Sequence, residues 1–187
     1  GIRVDTLEHC LRMHDGDKAV YIYHGVPYAH AERFRAPIMA DGIEPSDTYT
    51  HSYLTCYQRI NYAAPDKQYG ESHVVLHGGE ASPLTEDCLV LTINSPYPLD
   101  AAQTAQLPVF VYIHGGNYYA GGGEKNNTQL AEFALREQVV TVTVTYRLGV
   151  FGYMYQPDSM SVNLGLQDQL TALRWVHNYI HRFGGDA

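Results

Sequence analysis

Hydrophobic residues in the second half of the chain fall into runs that predict alternating strands and helices. Val109–Ile113 is apolar without alternation, which is typical of a strand buried on both faces. Residues 128–137 have the composition of a helix, with Asn127 or Thr128 as its cap, and residues 139–146 form a β-branched run that predicts a strand. Strand, helix and strand in this order predict a βαβ unit with a parallel pair of strands.

A longer helix is predicted after this unit. Its apolar side chains recur at helical spacing and predict one stripe that packs on the core: Leu166, Leu170, Leu173, Val176 and Ile180. The glycines at 184 and 185 predict where this helix stops.

The first half of the chain is less regular. Residues 20–23 and 89–93 predict two short strands, whereas residues 36–85 are rich in Pro, Gly, Asp, Ser and Tyr and predict long loops with short strands. The whole pattern predicts an α/β architecture. Because no strand follows the last helix, the strand at 139–146, or one beside it, is expected to have an uncovered apolar edge, which is an aggregation hazard. The sequence is therefore interpreted as a truncated domain.

Composition and charge narrow the function classes. The chain has 187 residues, 45% hydrophobic and 17% charged, which fits a globular protein with its own core. The net charge of −8 and the lack of a basic cluster argue against nucleic acid or anionic lipid as partners. No run approaches the ~20 apolar residues of a membrane span. A metal site is not expected, because there is no Cys-x-x-Cys pair and His177 and His181 lack a third ligand.

One local motif carries chemistry. The apolar run at 109–113 ends in His114-Gly115-Gly116, which resembles the oxyanion-hole turn of an esterase. No Gly-x-Ser-x-Gly occurs anywhere in the 187 residues. The sequence thus supplies the electrostatic half of an active site, and no catalytic nucleophile, acid or base is assigned within it.

Further blocks occur in a fixed order along the chain. They are residues 25–29 with 33–35, 86–89, 114–116, 146–152, 163–169, 172–176 and 183–186. In this order they resemble the N-terminal third of a type-B carboxylesterase, the family of para-nitrobenzyl esterases, animal carboxylesterases and cholinesterases. The resemblance covers residues 18–187 and implies the α/β-hydrolase fold, a mixed and mostly parallel sheet with flanking helices. It implies that residues 1–187 are the N-terminal part of one such domain, ending before the nucleophile elbow.

The resemblance assigns roles around the turn. It makes the N–H groups of Gly116 and Asn117 oxyanion donors, and Gly115 the residue that permits a tight turn and a close backbone approach. Asn117 stands where the family usually has a third Gly, and Asn tolerates a positive φ better than most residues. The turn is therefore expected to survive, with the Asn117 side chain narrowing the acyl pocket.

Two ion pairs and one cysteine pair follow from the same resemblance. It implies that Arg33 pairs with Glu86 and Arg147 with Asp168, both as buried structural pairs.

Cys56 and Cys88 match positions that are bridged in secreted members of the family. In a bacterial cytosol the two thiols stay reduced, and both interpretations stay open. The compartment is accordingly undetermined: cytoplasmic if bacterial, secreted if the bridge forms.

By resemblance, the expected function is carboxylic-ester hydrolysis by a serine esterase, with small or medium uncharged esters as substrates and no cofactor. The loop between the two cysteines has no Trp to bind a quaternary ammonium group, which argues against a choline substrate. The alternative is a non-catalytic adhesion or scaffold member of the same fold family. A short inactive product is a third interpretation, and the oligomeric state is not encoded.

Overall fold

The structure is a computed structural model that describes residues 2–43, 49, 54–58, 73–75, 81–101, 104–123, 127–155 and 162–187. In chain order the strands are β1 (Arg3–Thr6), β2 (Leu11–Asp15), β3 (Lys18–Pro27), β4 (Ala29–His30), β5 (Ile38–Met39), β6 (Thr55–Cys56), β7 (His73–Val75), β8 (Ala81–Thr85), β9 (Val90–Ser95), β10 (Val109–Ile113) and β11 (Val140–Val144). The helices are α1 (Asn127–Glu137), α2 (Gly149–Tyr153) and α3 (Leu164–Tyr179), the last followed by a 3-10 turn at Ile180–Phe183. No helix within these ranges has the length and apolar character needed to cross a membrane.

Six strands form the central sheet, in the order β1-β2-β3-β9-β11-β10. The predicted βαβ unit is confirmed, because β10 and β11 pair in parallel and α1 connects them. The other neighbouring pairs of this sheet are antiparallel. The sheet is mixed, as expected, but among the described strands of this sheet the parallel pairing that was expected to dominate occurs between β10 and β11.

Helices cover the two faces of the sheet. Along β3 the side chains alternate: Val20 and Ile22 join a cluster with Ala131 and Leu135 of α1, whereas Tyr23 lies in the other cluster, which contains α3 residues. Successive side chains of a strand point to opposite faces, so α1 and α3 lie on opposite sides of the sheet. The Tyr23 ring meets the Phe183 ring edge to face, with centroids 5.1 Å apart.

The strands of the second half differ in burial. Every residue of β9 and β11 is buried, as expected of strands between two neighbours and two helical layers. The prediction that Val109–Ile113 is buried on both faces is wrong: β10 is the edge strand, four of its residues are half-buried and Phe110 is exposed. The uncovered edge expected on or beside the 139–146 strand therefore lies on β10, because β11 is enclosed between β9 and β10.

The helix α3 has the predicted position but only part of the predicted buried face. Leu166, Leu170 and Leu173 are 42–48% exposed, whereas Val176 and Ile180 of the same predicted stripe are buried. The other buried residues of the helix lie outside that stripe: Leu164, Gly165, Asp168, Thr171, Ala172 and Trp175. The leucine stripe was misassigned because the true packing face carries Gly, Asp and Thr, which a hydrophobicity pattern does not count. Gly184 ends the element with φ +79°, as predicted.

The irregular stretch at 36–85 contains short strands. β4 pairs with β5, and β8 lies between β6 and β7. The remaining part of this prediction falls on residues 44–48, 50–53, 59–72 and 76–80, which lie outside the described residues.

Candidate active site

The candidate site begins where β10 ends. His114 follows the strand directly and is buried, with its ring stacked on the Tyr146 ring at a centroid distance of 4.4 Å. The Tyr146 hydroxyl donates a hydrogen bond of 2.7 Å to the His114 carbonyl oxygen. Burial lowers the pKa of His114, because desolvation disfavours the imidazolium ion, and the hydrogen bond to Gly115 opposes this shift. The His114 Nδ1 lies 2.9 Å from the Gly115 carbonyl oxygen, which identifies Nδ1 as the protonated nitrogen, since a carbonyl only accepts.

The turn after His114 depends on left-handed backbone. Gly116, Asn117 and Tyr118 have φ values of +128°, +53° and +65°. A Cβ added to Gly116 would lie 1.7 Å from the Ala120 carbonyl oxygen, so a glycine is required there. Gly115 has no positive φ, and a Cβ added there would meet nothing within 4 Å among the described residues, so the tight turn depends on Gly116. Asn117 has a positive φ, which is consistent with the tolerance of Asn for this conformation.

Hydrogen bonds orient the two peptide groups of the turn. The Gly115 carbonyl faces the His114 ring, and the Gly116 carbonyl accepts from the N–H groups of Tyr119 and Ala120 at 3.3 and 3.2 Å. In a planar trans peptide, the N–H points away from the C=O of the same unit. The N–H groups of Gly116 and Asn117 therefore point away from these partners, and neither donates a hydrogen bond to any of the described residues. The turn thus presents two adjacent donors on an exposed surface.

Neighbouring elements hold the far end of the turn. The Gly149 N–H, at the start of α2, donates a 2.6 Å hydrogen bond to the Tyr118 carbonyl oxygen. The Tyr118 ring packs against the Tyr153 ring of α2, with centroids 4.9 Å apart. The turn is therefore braced by α2 as well as by β10.

Arg147 and Asp168 form a buried pair beneath α2. Their side chains are 6% and 0% exposed. The Arg147 Nε and Nη2 donate to the two carboxylate oxygens at 2.8 and 2.7 Å, and the Arg147 backbone N–H adds a third bond of 3.1 Å. Its Nη1 donates to the Arg35 carbonyl oxygen at 2.8 Å. Burial raises the pKa of Asp168, and the hydrogen bonds from Arg147 oppose that rise.

Arg33 and Glu86 also pair, but the expectation of burial is wrong for them. The Arg33 Nε donates to both Glu86 carboxylate oxygens, at 2.9 and 3.0 Å. The Arg33 and Glu86 side chains are 61% and 32% exposed. The hydrogen bonds from Arg33 lower the pKa of Glu86. The Arg33 guanidinium also lies over the Phe151 ring, 5.7 Å from its centroid.

Cys56 and Cys88 are joined in a disulfide, with their Cα atoms 5.1 Å apart. The bridge connects β6 to the residue that precedes Leu89 and β9. Cys10 is a free, buried thiol. No group of three His, Cys, Asp or Glu side chains within the described ranges is arranged to hold a metal ion.

Sequence reasoning missed Gln58, which contacts Gly121 just after the turn. The Gln58 side chain forms two hydrogen bonds with the backbone of Gly121, at 2.6 and 2.8 Å. The two residues are 63 positions apart, and a polar residue in an irregular loop carries no pattern that a single sequence reveals. Its position two residues after Cys56 was the one available hint.

Comparisons with known proteins show which family the chain is similar to. A family model described as the carboxylesterase family matches residues 10–187. Para-nitrobenzyl esterase of Bacillus subtilis is 33% identical over 91% of the chain, and a probable N-octanoylanthranilate hydrolase of Rhodococcus erythropolis is 35% identical over 89%. A neuroligin-like protein of Caenorhabditis elegans is 39% identical over 89%. The matched regions are 33%, 34% and 22% of these relatives, so the chain spans between about a fifth and about a third of their length.

Proposed function

The chain belongs to the carboxylesterase family and has its α/β-hydrolase fold, and from this premise we propose that the full-length protein is a serine carboxylic-ester hydrolase. In this proposal residues 1–187 are the N-terminal part of one hydrolase domain, and the serine nucleophile, the acid and the catalytic histidine lie beyond Ala187. The share of each relative that the chain covers supports this division. The exposed edge of β10 and the exposed leucines of α3 support it too, because both are surfaces that a larger domain would cover.

The observation that carries the proposal is the pair of N–H groups at Gly116 and Asn117, which donate hydrogen bonds to none of the described residues. Attack on an ester carbonyl places negative charge on its oxygen in the tetrahedral intermediate. Two N–H groups already oriented by the hydrogen bonds of their own peptide units can stabilise that charge without reorganising during the reaction. The hydroxyl of the nucleophilic serine would form the acyl-enzyme, and water would release the acid.

The proposed substrates are small or medium uncharged esters. The relatives named para-nitrobenzyl esterase and probable N-octanoylanthranilate hydrolase support the hydrolysis of an acyl group that is itself uncharged, such as octanoyl. The loop between Cys56 and Cys88 contains no Trp, so it offers no indole face to a quaternary ammonium ion.

The test is hydrolysis of para-nitrophenyl esters of increasing acyl length by the full-length protein. We expect turnover in the wild type and a decrease in kcat of about a hundredfold to a thousandfold in Gly116→Ala, because the added Cβ displaces the turn and its donors. Asn117→Gly is the matched control. It keeps the N–H and accepts a positive φ at no steric cost, so its kcat should stay near that of the wild type. Equal activity in Gly116→Ala and the wild type would contradict the assignment of the donors.

A non-catalytic adhesion or scaffold protein is the second candidate, and the 39% identity to a neuroligin-like protein favours it. The two candidates differ at the residue of the nucleophile elbow. A full-length protein that has another residue in place of the serine, and that hydrolyses none of the esters while folded, is the outcome expected for the second candidate.

A further inference from the structure

The side-chain amide of Gln58 pairs with the backbone of Gly121 as a neighbouring strand would. Its Oε1 accepts from the Gly121 N–H at 2.8 Å, and its Nε2 donates to the Gly121 carbonyl oxygen at 2.6 Å. One side chain thereby satisfies both polar groups of one backbone residue. The partners also determine the orientation of the amide, because the reverse orientation would place donor against donor and acceptor against acceptor.

The Gln58 side-chain amide is itself held by a third hydrogen bond. The second hydrogen of Nε2 points to the Cys56 carbonyl oxygen at 3.3 Å. Cys56 is in β6 and is bridged to Cys88, which immediately precedes Leu89 and β9. The Tyr28 N–H donates to the Leu89 carbonyl oxygen at 3.1 Å, so the bridge connects Gln58 to the buried centre of the molecule.

Gly121 in turn packs directly on the residues that begin the oxyanion turn. An added Cβ at Gly121 would lie 2.4 Å from the His114 Nδ1 and 2.5 Å from the Gly115 carbonyl oxygen. These two atoms are the ones that hydrogen-bond to each other. The φ of Gly121 is +130°, so glycine is required on conformational grounds as well.

The Gly115 carbonyl and the Gly116 N–H belong to one planar peptide unit. Whatever holds the carbonyl against His114 therefore also directs the N–H to the opposite side, where the developing oxyanion would lie. Gly121 closes the space behind that carbonyl, and Gln58 holds Gly121 in place.

We propose that Gln58 is a positioning residue for ester hydrolysis: by clamping Gly121 it holds the Gly115–Gly116 peptide so that the Gly116 N–H points at the oxyanion. This inference rests on the proposed function. Gln58 acts through Gly121 and the peptide unit, and it does not touch the substrate.

The test compares Gln58→Met with the wild type in the full-length protein. Met has a similar length and volume but forms neither hydrogen bond. We expect kcat for para-nitrophenyl esters to fall about tenfold to a hundredfold, with KM within about twofold, since misplacing a catalytic group by less than 1 Å has effects of this size. The matched control is Gln167→Met, which removes another half-buried glutamine bond to a backbone carbonyl, the 2.8 Å bond to Val162, and should leave kcat unchanged.

A second measurement does not depend on activity. Hydrogen exchange of the Gly121 N–H should accelerate about fivefold or more in Gln58→Met, because that donor loses its acceptor. An active wild type with an unchanged kcat in Gln58→Met would overturn the inference and leave the proposed function standing. Unchanged exchange would overturn it even if activity fell. A folded wild type without any esterase activity would overturn the proposed function, and the catalytic role of Gln58 with it.

Discussion

Two arginine–carboxylate pairs in this molecule have the same chemistry and opposite surroundings. The pair of Arg147 and Asp168 is buried between α2 and α3, whereas the pair of Arg33 and Glu86 lies largely in solvent. In the exposed pair the hydrogen bonds from Arg33 are the largest effect, and they lower the pKa of Glu86. In the buried pair, desolvation is the larger effect and raises the pKa of Asp168 despite three hydrogen bonds. The comparison shows that burial, rather than pairing alone, decides the direction in which the carboxylate pKa shifts.

Removing one charge of the buried pair is expected to have the largest effect. In Asp168→Asn the Arg147 guanidinium stays buried without its counter-ion, so the free energy of unfolding should fall by about 3–5 kcal/mol. Urea unfolding of the full-length protein measures this change. The double variant Arg147→Met with Asp168→Leu is the control, because replacing both charges by apolar groups should recover much of the loss. A single variant as stable as the wild type would show that the pair is not desolvated.

A change in packing around Arg147 should have an intermediate effect without altering any charge. A Cβ added to Gly152 of α2 would lie 2.2 Å from the Arg147 carbonyl oxygen. Gly152→Ala should therefore reduce the free energy of unfolding by about 1–3 kcal/mol, as overpacking does in other cores. Gly115→Ala is the matched control, since its added methyl group meets none of the described residues within 4 Å, and its stability should change by less than about 0.5 kcal/mol. Equal stability of the two variants would mean that α2 moves freely over Arg147.

The exposed pair should show the smallest effect. Glu86→Gln is expected to change the melting temperature by less than about 2 °C at neutral pH, and by less still at high salt. Because Arg33 lowers the pKa of Glu86 in the folded state, any stabilisation is present above the unfolded carboxyl pKa of about 4.3 and is lost as the pH falls through the lower folded value. Melting curves of both proteins should therefore converge in acid. A difference that grows as the pH falls would contradict this sign.

Local patterns predicted the central elements of the fold. The sequence correctly predicted β11 from its β-branched run and β9 from the apolar run before Asn94, because both strands are buried on both sides. The sequence could not predict that β10 lies at the edge of the sheet, because an apolar run is compatible with a strand that has one neighbour and with a strand that has two. The buried face of α3 was misassigned for a related reason: Asp168 is a core residue only because Arg147, 21 positions away, accompanies it.

The candidate site was predictable only as far as its local motif extends. His114-Gly115-Gly116 marked the turn, but the residue whose flexibility matters is Gly116, and this depends on the approach of Ala120. The contact from Gln58 to Gly121 joins two loops that no periodicity connects. Whether a charged pair is buried is likewise a property of the packed molecule. The sequence therefore led to the same expectation of burial for the pairs of Arg33 and Arg147, although only the second pair is buried.

The groups that the candidate site offers to a substrate belong to the main chain. A side-chain donor can be deleted by one codon change, whereas the N–H groups of Gly116 and Asn117 remain whatever residues occur there, proline excepted. Apart from proline, a substitution at these positions leaves the donors in place. Other substitutions change the direction of the N–H groups through the neighbours that hold their peptide planes, and Gln58 and Gly121 are two such neighbours.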